Sequence, residues 1–219
     1  PLISFGMNPA GQPKPATDSF GNPTGAQEGT SPKFYKGITK SQKDSKWEEF
    51  AKLTFPQEKA MAGMMKRFFQ KQHSEAIRKV HNLKSFDKGI YADLIFNIND
   101  SNQNLKNLSK SYITKAYTLG LQLGMKDTGS IIDFDLFNIN IIRAVEQRVG
   151  FFAEKTNETT AKLLEKELSE GLQAGETISE IAQRVDKVFN YREDFSSLRT
   201  ARTEVIGAVN DGQLKAYME

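Results

Sequence analysis

From about residue 46 to the end of this 219-residue chain, hydrophobic positions recur at three- and four-residue steps. That is the period of helices with one apolar stripe. Trp47, Phe50 and Ala51, then Met61, Met64, Met65, Phe68 and Phe69, keep this spacing, and Pro56 is expected to interrupt between them. The second of these helices is expected to continue through Ile77 and Val80 to about Leu83. A further one spans about Leu105 to Met125, carrying Leu108, Tyr112, Ile113, Ala116, Leu119, Leu121 and Leu123. Gly120 and Gly124 sit inside it, each costing about 1 kcal/mol relative to Ala. Small residues four apart either permit close helix contact or mark a frayed end.

The punctuation sharpens after residue 130. Phe137 to about Phe152 reads as one helix with Ile141, Ile142, Val145 and Val149 on its inner face. Asp133 is placed to cap it, its charge facing the positive end of the helix dipole. Thr156 or Asn157 is placed to cap the next, whose stripe is Ala161, Leu164, Leu168 and Leu172 and whose stop is Gly175. Thr177-Ile-Ser-Glu180 has capping-box spacing, in which Thr and Glu satisfy each other's free backbone N–H groups. Behind it Ile178, Ile181, Ala182, Val185, Val188 and Phe189 form a full apolar stripe. A last helix covers about 196–217. Strand signals are weak, and the best run, Ile90 to Ile98, is equally compatible with helix.

Residues 1–45 break the pattern. Pro9, Pro13, Pro15, Pro23 and Pro32 oppose any helix there, and hydrophobics are sparse. The stretch reads as a disordered linker or as an arm that orders along a neighbouring subunit. The expectation is a mainly α chain, a multi-helix bundle with an extended, Pro/Gly-rich N-terminal arm. It has three regions: 1–45 arm or linker, 46–129 basic and helical, and 130–219 helical.

In the last helix, Leu198, Ala201, Val205, Ala208, Val209 and Gly212 form one small, shallow stripe that lets another helix approach closely. Arg199, Arg202, Glu204, Asn210 and Asp211 are left for polar work. Arg202 and Glu204 are two apart and point to different sides, so each is expected to reach an adjacent helix. Ala201-Arg-Thr-Glu204 followed by Asn210-Asp-Gly212 resembles the signature of the phage head morphogenesis family, the Mu F-like minor head proteins. In looser form the resemblance extends upstream to roughly Ser74. It implies a minor capsid component near the portal vertex of a virion, with the portal or major capsid protein as partner and no established catalytic residue. Arg199, Arg202, Glu204, Asn210 and Gly212 become interface or structural residues. Family members usually run on past this helix and some are fused behind a portal protein. A chain opening on Pro1 and stopping at Glu219 is therefore expected to be a piece of a longer one.

Charge changes the picture in one respect. Residues 33–84 hold 13 Lys/Arg against 5 Asp/Glu, whereas residues 130–219 hold 11 against 16. Lys59, Lys66, Arg67, Lys71, Arg78 and Lys79 thus become candidate contacts for double-stranded DNA or an acidic neighbour.

Chemistry is sparse. No cysteine is present, which removes disulfides, thiolate metal sites and cysteine nucleophiles, and there are two histidines. His73 and His81 lie eight apart, not the four that a two-His metal site on a helix wants. Asp133 and Asp135 could form a cation site or a carboxylate pair, helix capping being the simpler use. No glycine-rich phosphate loop or Ser/His/Asp set stands out, so no catalytic, cofactor or metal residue is expected. No run approaches the roughly 18 apolar residues of a membrane span, and no membrane contact is expected. The remaining alternative is an enzyme domain, of nuclease or toxin type, on the same helices.

Overall fold

The computed structural model describes residues 40–83, 92–129 and 138–218. Its elements are α1 (Lys40–His81), α2 (Ala92–Ile95), α3 (Ile98–Thr128), α4 (Ile139–Ala174), α5 (Ile178–Tyr191) and α6 (Ser197–Tyr217), with a π-helical turn at Arg192–Ser196 between the last two. Among the described residues there is no strand, and the chain is mainly α as the hydrophobic period predicts. The Pro/Gly-rich segment up to Thr39 and the Asp133–Asp135 pair lie outside the described residues. The chain divides into two units, Pro1–Lys46 and Trp47–Glu219, and the second holds the bundle described below.

Three expected breaks are absent. Pro56 lies within the unbroken α1. The two helices expected at 137–152 and 157–173 are one helix, α4, and its cap is Asn138, whose side chain accepts from the Asn140 N–H. Thr156 and Asn157 are not caps but buried interior residues of that helix. The gap expected near 190–195 is bridged by the π turn, so α5 and α6 continue one another. Other signals are used as their chemistry suggests. Gly175 ends α4 at φ +70°, and Thr177 and Glu180 form the capping box of α5.

Four long segments, α1, α3, α4 and α5–α6, alternate in direction. Lys126 near the end of α3 pairs with Glu49 near the start of the bundle part of α1. Asn157 of α4 donates to Asn102 near the start of α3. The core falls into two clusters. The larger joins Met61, Met65 and Phe69 of α1 to Leu105, Ile113 and Leu121 of α3, Val145 and Val149 of α4, and Val205 and Val209 of α6. The smaller joins Ala76 and Val80 of α1 to Ile95 of α2 and Phe96 just after it, Leu164 and Leu168 of α4, and Ile181, Val185 and Phe189 of α5, with Ile98 of α3 half-buried against it. Each such large side chain contributes about 1.5–3 kcal/mol by leaving water. On every long helix, buried or half-buried polar residues fall between its shares of the two clusters: Gln72, Asn102, Thr156 with Asn157, and Arg192 with Ser196. Some apolar positions read as inward are not: Trp47 is 60% exposed and Leu198 is 47% exposed.

Candidate functional site

The tightest helix contact in the molecule is between α3 and α6, which run parallel. A Cβ added at Gly120 would strike the backbone of Val209, and one added at Gly212 would strike the carbonyl of Tyr117. At Gly124 it would meet the Ala216 Cβ. Ala201, Val205, Ala208 and Val209 are fully or nearly fully buried along this seam. The small stripe of α6 and the two interior glycines of α3 are therefore the same feature seen from two helices.

Two polar clamps flank the seam. Arg202 donates through Nε to Glu58 Oε2 of α1 at 2.9 Å; the arginine is 53% exposed and the glutamate side chain 6%. On another side of α6, Glu204 Oε1 accepts from Arg148 Nε of α4 at 2.7 Å, with Nη2 also within 3.4 Å of Oε2. The same guanidinium pairs with Asp211 two turns further on. It lies where a side chain on Gly207 would sit, so that glycine makes room for the clamp. Burial pushes the Glu204 carboxyl up to about 7, Arg148 pulls it down less strongly, and the nearby charge of Asp211 adds to the upward shift.

The other sequence candidates are scattered. Arg199 donates to the Tyr191 hydroxyl at 3.1 Å. Asn210 is exposed. Lys66 pairs with Asp194 at 3.2 Å across two exposed side chains. Lys59, Arg67, Lys71, Arg78 and Lys79 make no ion pair with any described residue. His73 does not face His81. It stacks on Phe189 of α5 with centroids 5.3 Å apart, Nε2 lies 2.7 Å from Asp186 and Nδ1 lies 3.0 Å from Glu193. Among the described residues no group of three or more His, Asp or Glu is placed to hold a metal ion. No helix among them is long and apolar enough to cross a membrane.

Sequence reasoning passed over Glu58, Arg148, Gly207 and Arg192. Glu58 and Arg148 gave no local signal, because their partners lie 144 and 56 residues away. Gly207 was readable as a small residue one turn after Glu204. Arg192 is nearly fully buried, its guanidinium 4.5 Å from the centre of the Phe69 ring, with Nη2 donating to the Thr156 carbonyl at 3.1 Å. Burial lowers its pKa to about 10, and Arg199 contributes in the same direction. Chemically, the clamps consist of carboxylates and guanidiniums already matched to each other, an arrangement suited to holding helices together. No protein-family model, curated protein or solved structure matches this chain.

Proposed function

We propose that this chain is a structural and assembly component of a tailed-phage head, a minor capsid protein acting near the portal vertex of the virion through helical interfaces. The observation that carries the reading is the use made of the segment that resembles the head morphogenesis signature. Arg202, Glu204 and Gly212 are each spent on contact with another helix: Glu58 of α1, Arg148 of α4 and Tyr117 of α3. A signature devoted to packing fits a protein whose output is shape. The partner in this reading is the portal or the major capsid protein.

The test is co-assembly. The chain, expressed with the portal and major capsid proteins of a phage that encodes it, should co-purify with the particles. Arg202→Ala leaves the buried Glu58 carboxylate without its donor, at about 1–3 kcal/mol. Incorporation of that variant should fall in step with its loss of folding stability. Absence of the wild type from particles would refute the reading. So would hydrolytic or transferase turnover by the wild type that Arg202→Ala or Glu204→Ala abolishes while circular dichroism and melting stay unchanged.

A further inference from the structure

The cations of this bundle are not used alike. Away from the outer face of α1, many lysines and arginines meet acids: Lys106 with Glu154, Lys110 with Glu146, Lys126 with Glu49, Arg148 with Glu204, Arg184 with Glu176. Lys115, Arg143, Lys162 and Lys187 make no ion pair with a described residue, but they are spread over three helices and form no row. On the outer face of α1, Lys59, Arg67, Lys71 and Arg78 are exposed and unpaired among the described residues. Between Lys59 and Arg78 the helix carries a single acid, Glu75. Steps of 4 and 7 residues keep Arg67, Lys71 and Arg78 within about 40° of one another around the helix, and Lys59, eight residues before Arg67, stands about 80° round from it at the edge of that face. The stripe is about 28 Å long at 1.5 Å per residue. Its middle is low, because Ala60 and Gly63 lie between the cations and the Arg67 guanidinium folds back to within 3.7 Å of where a Gly63 Cβ would be. Beside it a hollow of about 470 Å³ opens between α1 and α3, lined by Arg67, Lys71, Asn104, Asn107 and Tyr112. It offers neutral hydrogen-bonding groups next to the charge and no acid.

We infer that this face of α1 is a binding strip for the phosphate backbone of double-stranded DNA. Charges repeating along a straight edge match a polymer with a phosphate every 3.4 Å per strand better than they match a compact acidic patch. Side chains such as Asn and Tyr are common partners of phosphate and sugar, positioning without reading sequence. The choice of DNA over another polyanion rests on the head-protein reading, in which packaged DNA is the neighbouring polymer, whereas the strip itself stands on the unpaired cations.

The experiment uses the full chain and a random-sequence 30-base-pair duplex followed by fluorescence anisotropy. Four neutralised phosphates predict a slope of log affinity against log salt of about −3.6, and about a hundredfold loss of affinity between 50 and 200 mM salt. Replacing Lys59, Arg67, Lys71 and Arg78 together by Gln should weaken binding at 50 mM salt by at least about tenfold and flatten the slope. Lys110→Gln with Lys126→Gln, which removes two paired cations from other faces, should change binding by less than about twofold, in line with the small worth of exposed pairs. Melting curves of both variants check that the fold survives. No duplex binding at 50 mM salt, or a quadruple variant that folds and binds like wild type, overturns the inference. Competition by polyglutamate as effective as by DNA of equal charge also overturns it, in favour of an acidic protein partner. If DNA binding fails while the chain still enters particles, this inference falls and the head-protein reading stands.

Discussion

The α3–α6 seam and the layer around Arg192 are both buried, and they are built from opposite materials. In the seam, Gly120, Gly124, Ala208 and Gly212 bring two backbones together with almost no side chain between them. Glycine and alanine have no side-chain rotamers to lose on burial, so the dispersion gained by close approach is opposed by little side-chain entropy. In the layer, Gln72 donates to Asn157, Asn157 to Asn102, and Arg192 to the Thr156 carbonyl. Gln72 Oε1, Arg192 Nε and Ser196 Oγ have no hydrogen-bond partner among the described residues. A buried guanidinium with no carboxylate beside it carries a desolvation penalty that one carbonyl and one aromatic ring offset only in part. The contrast assigns different work to each. The seam supplies stability, and the layer, which separates the two apolar clusters on every long helix, fixes how the helices line up along their axes.

The largest test of that assignment is Gly120→Ala. Helix propensity alone favours alanine by about 1 kcal/mol. The added Cβ has nowhere to go, because the atoms it meets are the Val209 backbone and not a flexible side chain. The helices must separate, and destabilisation of about 3 kcal/mol is expected, the upper end of ordinary overpacking. Urea denaturation measures it, and a stabilised variant would show that the seam is looser than described.

Next in size is the pH response of the clamp beside the seam. The Glu204 carboxyl sits at about 7 when folded, above its ordinary value of 4.5. Its raised pKa favours the folded state fully below about pH 4.5, and this contribution is lost as pH rises through about 7, because folding must then bury a charge. Between pH 5 and 8, Glu204→Gln should therefore lose less stability than the wild type, by about 1–3 kcal/mol. Parallel stability–pH curves for the two proteins would contradict the assignment.

A smaller effect is expected at Thr177, remote from both regions. Its hydroxyl accepts from the Glu180 N–H, and the Glu180 carboxylate accepts from the Thr177 N–H at 2.8 Å. Thr177→Ala should cost about 1 kcal/mol. That value calibrates how much a local feature is worth against the long-range ones, and an unmoved melting midpoint would remove the cap from the account.

Local features were the ones legible in the sequence. The capping box at Thr177, the stop at Gly175 and the stripe Ala201–Gly212 depend on neighbours within a few turns, and the structure uses all three. The Gly120/Gly124 pair was readable as close contact or as fraying, and only the position of α6 decides between them. Thr156 and Asn157 mislead because polar residues in a run of apolar ones look like a helix start. Here they are interior positions whose partners, Gln72 and Arg192, come from other helices. Pro56 misleads in the same way, since α1 continues through it. Of the clamps, Arg202 and Glu204 announced themselves by leaving the apolar stripe, whereas Glu58 and Arg148 carry no mark until the helices are brought together.

The most direct measurement sets the two regions against each other: the unfolding free energy of Arg192→Met beside that of Gly120→Ala, in the same urea series at neutral pH. Methionine keeps the apolar bulk of the arginine stem, removes the buried charge and loses one hydrogen bond. The account predicts that Arg192→Met is no less stable than wild type, and about 1 kcal/mol more stable, while Gly120→Ala is about 3 kcal/mol less stable. A reversal, with Arg192→Met the more damaging change, would mean that the polar layer and not the dry seam holds the bundle together.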